Sequence, residues 1–99
     1  MSAKKLSDAD GALIKELTVV NKLGIHARPA ASIVQTVLPF HSEVFITHNG
    51  NRVNAKSIMG LLTLAAVRGT RMKISCKGDD AEQAMEALRS LFARGFGED

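Results

Sequence analysis

Asn49-Gly50 lies between two short β-prone runs, Glu43-Val44-Phe45-Ile46-Thr47-His48 and Asn51-Arg52-Val53-Asn54. Asn-Gly is the preferred pair for a two-residue type I′ turn, because both central positions need a positive φ that these residues tolerate. The segment is therefore committed to an antiparallel hairpin. Arg71 to Lys77 adds a strand of period two, with Met72, Ile74 and Cys76 on one face and Arg71, Lys73, Ser75 and Lys77 on the other. One face belongs on a core and the other in water. Between Ile14 and Val20, Lys15, Leu17 and Val19 alternate with Glu16, Thr18 and Val20, which predicts the first strand.

The intervening segments have the helical period instead. Ala30, Ile33, Val34, Val37 and Leu38 share one face of a helix from Ala27 to Leu38, and Pro39 stops it. Ser57 is an N-cap residue ahead of the apolar run from Ile58 to Val67. Gly60 costs that helix about 1 kcal/mol, which predicts a short one ending by Gly69. Ala81, Ala84, Met85, Leu88, Leu91 and Phe92 repeat at i, i+3, i+4 and i+7. Asp79 or Asp80 can cap this helix, with Glu82 or Gln83 in the capping-box position, and Gly95 ends it.

The predicted order is β-α-β-β-α-β-α. It implies an α+β open-faced β-sandwich, a four-stranded, mainly antiparallel sheet with three helices on one face. Residues 1–13 read as a flexible leader, 14–95 as the single domain and 96–99 as a short tail. With 45% hydrophobic residues but no Trp or Tyr, the core must be largely aliphatic. No apolar run nears the roughly 20 residues of a membrane span, and the leader lacks the apolar stretch of a signal peptide. The lone Cys76 excludes an internal disulfide. A cytoplasmic protein is expected.

Gly24-Ile25-His26-Ala27-Arg28-Pro29-Ala30 holds the chemistry. It sets a titratable nucleophile just ahead of a helix, whose first N–H groups lack intrahelical partners and bind anions. Arg28 can bring a planar fork of donors to the same place. Pro29 suits the first turn, where its missing N–H is no loss. A neutral imidazole, of ordinary pKa about 6.5, is the reactive form, and a helix N-terminus and an arginine both disfavour the imidazolium. The working expectation is a histidine that carries a phosphoryl group.

Charge points to acidic partners. Between Leu17 and Lys77, eight basic residues face the single acid Glu43, a net +7, whereas the following stretch is mostly acidic. Nucleic acid is a distant alternative, since only four Phe are available for stacking.

Two segments together resemble the HPr family, the histidine-containing phosphocarriers of the bacterial phosphotransferase system. One is Gly24 to Ala30; the other is Asn54-Ala55-Lys56-Ser57-Ile58-Met59-Gly60-Leu61, similar to that family's regulatory serine site. The resemblance implies that His26 accepts a phosphoryl group from enzyme I on Nδ1 and passes it to enzyme IIA components of sugar permeases. Arg28 would neutralise the transferring group, and the N–H groups of Ala27 and Arg28 would hold its oxygens. Ser57 would be phosphorylated by an HPr kinase/phosphorylase and read by a transcription regulator, with Lys56, Ile58, Met59 and Leu62 as partner-docking residues. It implies a monomer with no cofactor, no metal and no membrane insertion. Gln35 and Leu38 stand where some relatives carry lysines. A purely regulatory relative in carbon or nitrogen control is the alternative. His41 and His48 lack ligand-like spacing and read as surface residues; Cys76 and Met85 read as packing.

Overall fold

The computed structural model describes residues 6–7 and 11–98. Its elements in order are β1 (Leu6–Ser7), β2 (Leu13–Thr18), α1 (Ala27–Val37), β3 (Glu43–His48), β4 (Asn51–Asn54), α2 (Ile58–Thr63), β5 (Arg71–Lys77) and α3 (Ala81–Ala93), followed by a 3₁₀ turn over Gly95–Gly97. The predicted order is therefore present, and the sheet is antiparallel throughout in the sequence β2-β5-β3-β4, with β1 outside β2.

The hairpin forms where Asn-Gly places it: Asn49 and Gly50 have φ of 53° and 79°, and His48 pairs with Asn51. β5 lies at the centre, bonded to β2 on one side and β3 on the other. Its Met72, Ile74 and Cys76 are buried as their alternation requires. Ser75 is buried too, although it points to the open face, because its partners Ile14 and Phe45 flank it there. Burial pushes the Cys76 thiol up to about 11, so it is a core residue and not a reactive one.

Ala30, Ile33, Val34 and Val37 of α1 and Ala84, Met85, Leu88, Leu91 and Phe92 of α3 cover the other face of the sheet with Leu17, Val19, Val44 and Ile46. Leu38 departs from the expected apolar face: it is the C-cap of α1 and 57% exposed. Its backbone is still helical, with its N–H bonded to the Val34 carbonyl at 2.9 Å, but α1 ends there and among the described residues nothing covers its side chain. Helix α2 runs only from Ile58 to Thr63, in keeping with the glycine inside it.

The ends of the chain depart further. Leu6 and Ser7 pair with Ile14 and Leu13, so part of the stretch read as a leader extends the sheet edge. Residues 1–5 and 8–10 of that leader lie outside the described residues, while Ala12 is buried and Leu13 already belongs to β2. The stretch read as a tail folds back: Phe96 is buried and packs edge-on against Phe92, 4.8 Å between ring centroids.

Asp80 stands at the N-cap of α3 but its carboxylate does not cap that helix. It instead accepts the Ser42 hydroxyl, the Ser42 N–H at 2.9 Å and the His41 N–H at 2.8 Å, clamping the start of β3. These bonds, the Ser42 hydroxyl first, hold its pKa down at about 2, against an ordinary 3.8. A carboxylate depressed in the folded state contributes stability that is complete above its unfolded pKa and lost as pH falls through the folded one. Parent stability should therefore drop between about pH 4 and pH 2 more steeply than that of Asp80→Asn. Unfolding curves across that window decide it; equal slopes in the two proteins would remove the clamp from the account.

Candidate functional site

Backbone pairing carries on past the end of β2 and aims the loop that follows. Val19 N–H donates to the Thr70 carbonyl at 2.9 Å and Gly69 N–H to the Val19 carbonyl at 2.7 Å. The chain then turns on Asn21, which is buried and donates from Nδ2 to the Gly24 carbonyl at 2.8 Å. Gly24 has φ +72°, and a Cβ there would meet the Ala66 carbonyl oxygen at 2.4 Å. Glycine is needed on both counts. Ile25 is buried and its N–H donates to that same Ala66 carbonyl at 2.9 Å, so the segment after α2 braces the loop.

His26 is thereby placed at the N-cap of α1. Its carbonyl accepts the Ala30 N–H at 3.0 Å, and its imidazole does not cap the helix. The ring stays available while the N–H groups of Ala27 and Arg28, in the first turn, have no carbonyl behind them to accept. Pro29 is buried and contributes no N–H. Arg28 is exposed and, with His26, Lys22, Leu23, Gly97 and Glu98, lines an open hollow. Such a hollow suits a group brought by a large partner better than a small molecule sealed from water.

The sequence reading missed Glu98. It lies 72 residues from His26, yet both its carboxylate oxygens are 3.0 Å from His26 Nε2. Asn21 Nδ2 donates to it as well, at 2.9 Å. The His26 hydrogen bond is the main reason that the Glu98 carboxyl is held below the usual carboxylate range. Only the 3₁₀ turn, anchored by Phe96, brings this residue to the hollow, and no local signal in the sequence foretells it.

Ser57 caps α2 as expected, its Oγ accepting the Gly60 N–H at 3.0 Å. Lys56 is committed in part, for its ammonium donates to the Phe40 carbonyl at 2.9 Å. Ile58, Met59 and Leu62 are exposed, Met59 by 73%. The exposed apolar set also includes Leu23 (72%) and Val67, which the sequence reading did not single out. His41 and His48 stand apart from the hollow, and the described residues contain no cluster of three or more His, Cys, Asp or Glu able to hold a metal.

The chain is similar in sequence and fold to known proteins. The profile of the PTS-HPr family, described as the PTS HPr component phosphorylation site, matches residues 13–94. The phosphocarrier protein HPr of Xylella fastidiosa (strain Temecula1) is 50% identical over 84 residues, 85% of this chain and 94% of that protein. HPr-C-His from Thermoanaerobacter tengcongensis superposes with a TM-score of 0.83 at 43% identity, over 87% of this chain and 97% of that one. An HPr from Bacillus anthracis does so with a TM-score of 0.78 at 44% identity, over 82% and 96% of the two chains.

Proposed function

The chain belongs to the HPr family, the phosphocarriers of the sugar phosphotransferase system, and from that membership we propose that His26 is the covalent relay, taking a phosphoryl group on Nδ1 and giving it up again. The observation that carries this is the placement of His26 at the N-cap of α1, with its carbonyl and not its ring closing the first helical turn. The phosphoryl donor is phosphorylated enzyme I and the acceptors are enzyme IIA components. As the Nδ1–P bond forms, the bond from phosphorus to the donor breaks and its electron pair returns to the donor. A loose transition state of this kind asks for positioning and charge stabilisation. The N–H groups of Ala27 and Arg28 and the Arg28 guanidinium supply both. The protein is a carrier in this reaction and not a catalyst of turnover.

Partners dock around this hollow. Ile58, Met59 and Leu62 offer exposed apolar side chains, Lys56 a positive charge held at the Phe40 carbonyl, and the exposed Leu23 lines the hollow itself. The basic middle of the chain attracts acidic surfaces. The protein works as a cytoplasmic monomer without nucleic acid, and among the described residues no helix is long and apolar enough to cross a membrane. Incubation with enzyme I and phosphoenolpyruvate should leave one acid-labile, base-stable phosphate per chain. An unlabelled parent protein sinks the proposal.

Ser57 is the regulatory site, modified by an HPr kinase/phosphorylase and then read by a transcription regulator. Phosphate there adds about −1.5 to −2 charge beside the docking patch. Asp is as good an N-cap as Ser, so Ser57→Asp should fold normally. Its phosphoryl acceptance from enzyme I should fall by roughly tenfold or more through like-charge repulsion. Rates equal to the parent would dismiss the repulsion account.

A further inference from the structure

The eight basic residues between Leu17 and Lys77 do not share one place in the fold. Strand register puts Arg52, Arg71, Lys73 and Lys77 on the open face of the sheet, away from the buried Met72, Ile74 and Cys76. There the Arg52 guanidinium lies over the Phe45 ring, 3.9 Å from its centroid. Lys56 is held at the Phe40 carbonyl. Of the eight, only Lys22 and Arg28 line the hollow at His26. The chain presents Lys22 on a clamped turn. Asn21 is buried, its carbonyl accepts the Gly24 N–H at 3.3 Å and its Nδ2 donates to the Gly24 carbonyl at 2.8 Å. Lys22 and Leu23, between them, are exposed. The backbone is thus fixed beside the hollow, while the Lys22 ammonium makes no hydrogen bond or ion pair among the described residues. The Arg28 charge is less free. After the hydrogen bonds from His26 and Asn21, it helps to hold the Glu98 carboxyl below the usual carboxylate range, so part of its field falls on that carboxylate.

From this placement we infer that Lys22 is a second cation for the transferring phosphoryl group, holding one of its oxygens while Arg28 holds the others. The inference rests on the assignment of His26 as the phosphoryl acceptor. A phosphoryl group brings about −1.5 to −2 charge near pH 7 and three acceptor oxygens. The planar Arg28 fork matches two of them, and a lysine ammonium is a compact charge that can turn a donor to the third. With Lys22 and Arg28 set against Glu98, the hollow carries one net positive charge. Without Lys22 the arriving group meets none. Both cations keep their protons throughout. Nδ1 forms its bond to phosphorus, and the electron pair of the bond that breaks stays with the donor.

The test compares the parent with Lys22→Met, which keeps the stem and loses the charge, and with Lys22→Glu and Lys22→Arg. The turn makes its bonds through Asn21 and Gly24, so all three variants should fold. Each protein is phosphorylated by two routes: by enzyme I with phosphoenolpyruvate, and without any partner by phosphoramidate, which transfers phosphate to imidazoles. The ³¹P resonance of the His26 phosphoryl group is then followed through its second ionisation, which ordinarily lies near about pH 6. In Lys22→Met the group should titrate about 0.5 pH higher than in the parent, because a nearby cation favours its dianion. Lys22→Glu should move it further, and Lys22→Arg should restore the parent value. Phosphoryl groups on His41 and His48, which stand apart from the hollow, should not shift. The saturating rate of acceptance from enzyme I should fall by roughly fivefold in Lys22→Met, and by more in Lys22→Glu. A titration unchanged in Lys22→Met overturns the inference whatever the rates do. A lysine that only attracts enzyme I would raise the half-saturating concentration and leave the phosphorylated carrier alone untouched. An unchanged saturating rate beside a shifted titration overturns it too. A parent protein that takes no phosphate from enzyme I fails the phosphocarrier assignment instead, while the phosphoramidate product still judges Lys22.

Discussion

His26→Ala is expected to abolish the acid-labile phosphate outright, while His41→Ala and His48→Ala keep it. The imidazole is the phosphoryl acceptor we propose at the mouth of α1. Nothing else in the hollow formed by Lys22, Leu23, Arg28, Gly97 and Glu98 is a nitrogen nucleophile that is neutral at working pH. The substitution should leave the fold intact. The ring makes no cap bond, its backbone carbonyl still closes the first turn, and its side-chain partner is Glu98. A loss of less than about 1 kcal/mol of stability is expected for such a partly exposed contact. Labelling after incubation with enzyme I and phosphoenolpyruvate, read beside a denaturation curve, separates the two effects. Label surviving on His26→Ala would move the acceptor elsewhere and with it the whole reading of the hollow.

Gly24→Ala should do nearly as much harm by a different route. Its φ of +72° is strained for any residue with a Cβ, at a cost of about 1–2 kcal/mol. The added atom would also stand 2.4 Å from the Ala66 carbonyl oxygen and 3.0 Å from the Val67 Cα, both backbone. Backbone cannot swing aside as a side chain can, so the loop or the segment after α2 must move. The Ile25 N–H bond to Ala66 is at the centre of that movement, and His26 is the next residue. Stability should fall by more than the torsional cost alone, and phosphoryl acceptance should fall with it. Gly69→Ala is the control, for Gly69 has φ +91° with nothing within 4 Å of an added Cβ. If the two variants lose equal stability in denaturant and transfer phosphate equally well, the close approach of Gly24 to Ala66 does not position the histidine.

Elements set by local chemistry are legible in the sequence. The hairpin follows from Asn49-Gly50, the half-buried β5 from its period of two, and α1 and α3 from apolar residues recurring every three or four positions. Each signal acts over neighbouring residues, where backbone torsion and side-chain direction are fixed by residue type. Asp80 shows where this fails. Its position suggests a helix cap, but its carboxylate finds three better donors at His41 and Ser42, on a loop 38 to 39 residues away. Leu38 fails as well, since its backbone is still helical yet its side chain stays 57% exposed, and whether a neighbour covers a residue at a helix end is a matter of packing.

The candidate site divides along the same line. Its imidazole, its guanidinium and its helix start are contiguous, so residue order alone marks His26, Ala27, Arg28 and Pro29 as one candidate anion-binding device. Ser57 is legible as a cap because capping reaches only three residues. What tertiary structure alone decided is how the device is held and aimed. Ala66 braces the loop through Ile25, and Asn21 secures Gly24. Phe96 brings Glu98 under the ring across 72 residues of chain. Contacts of that span depend on the packing of the whole sheet and its helices, and the order of residues carries no trace of them.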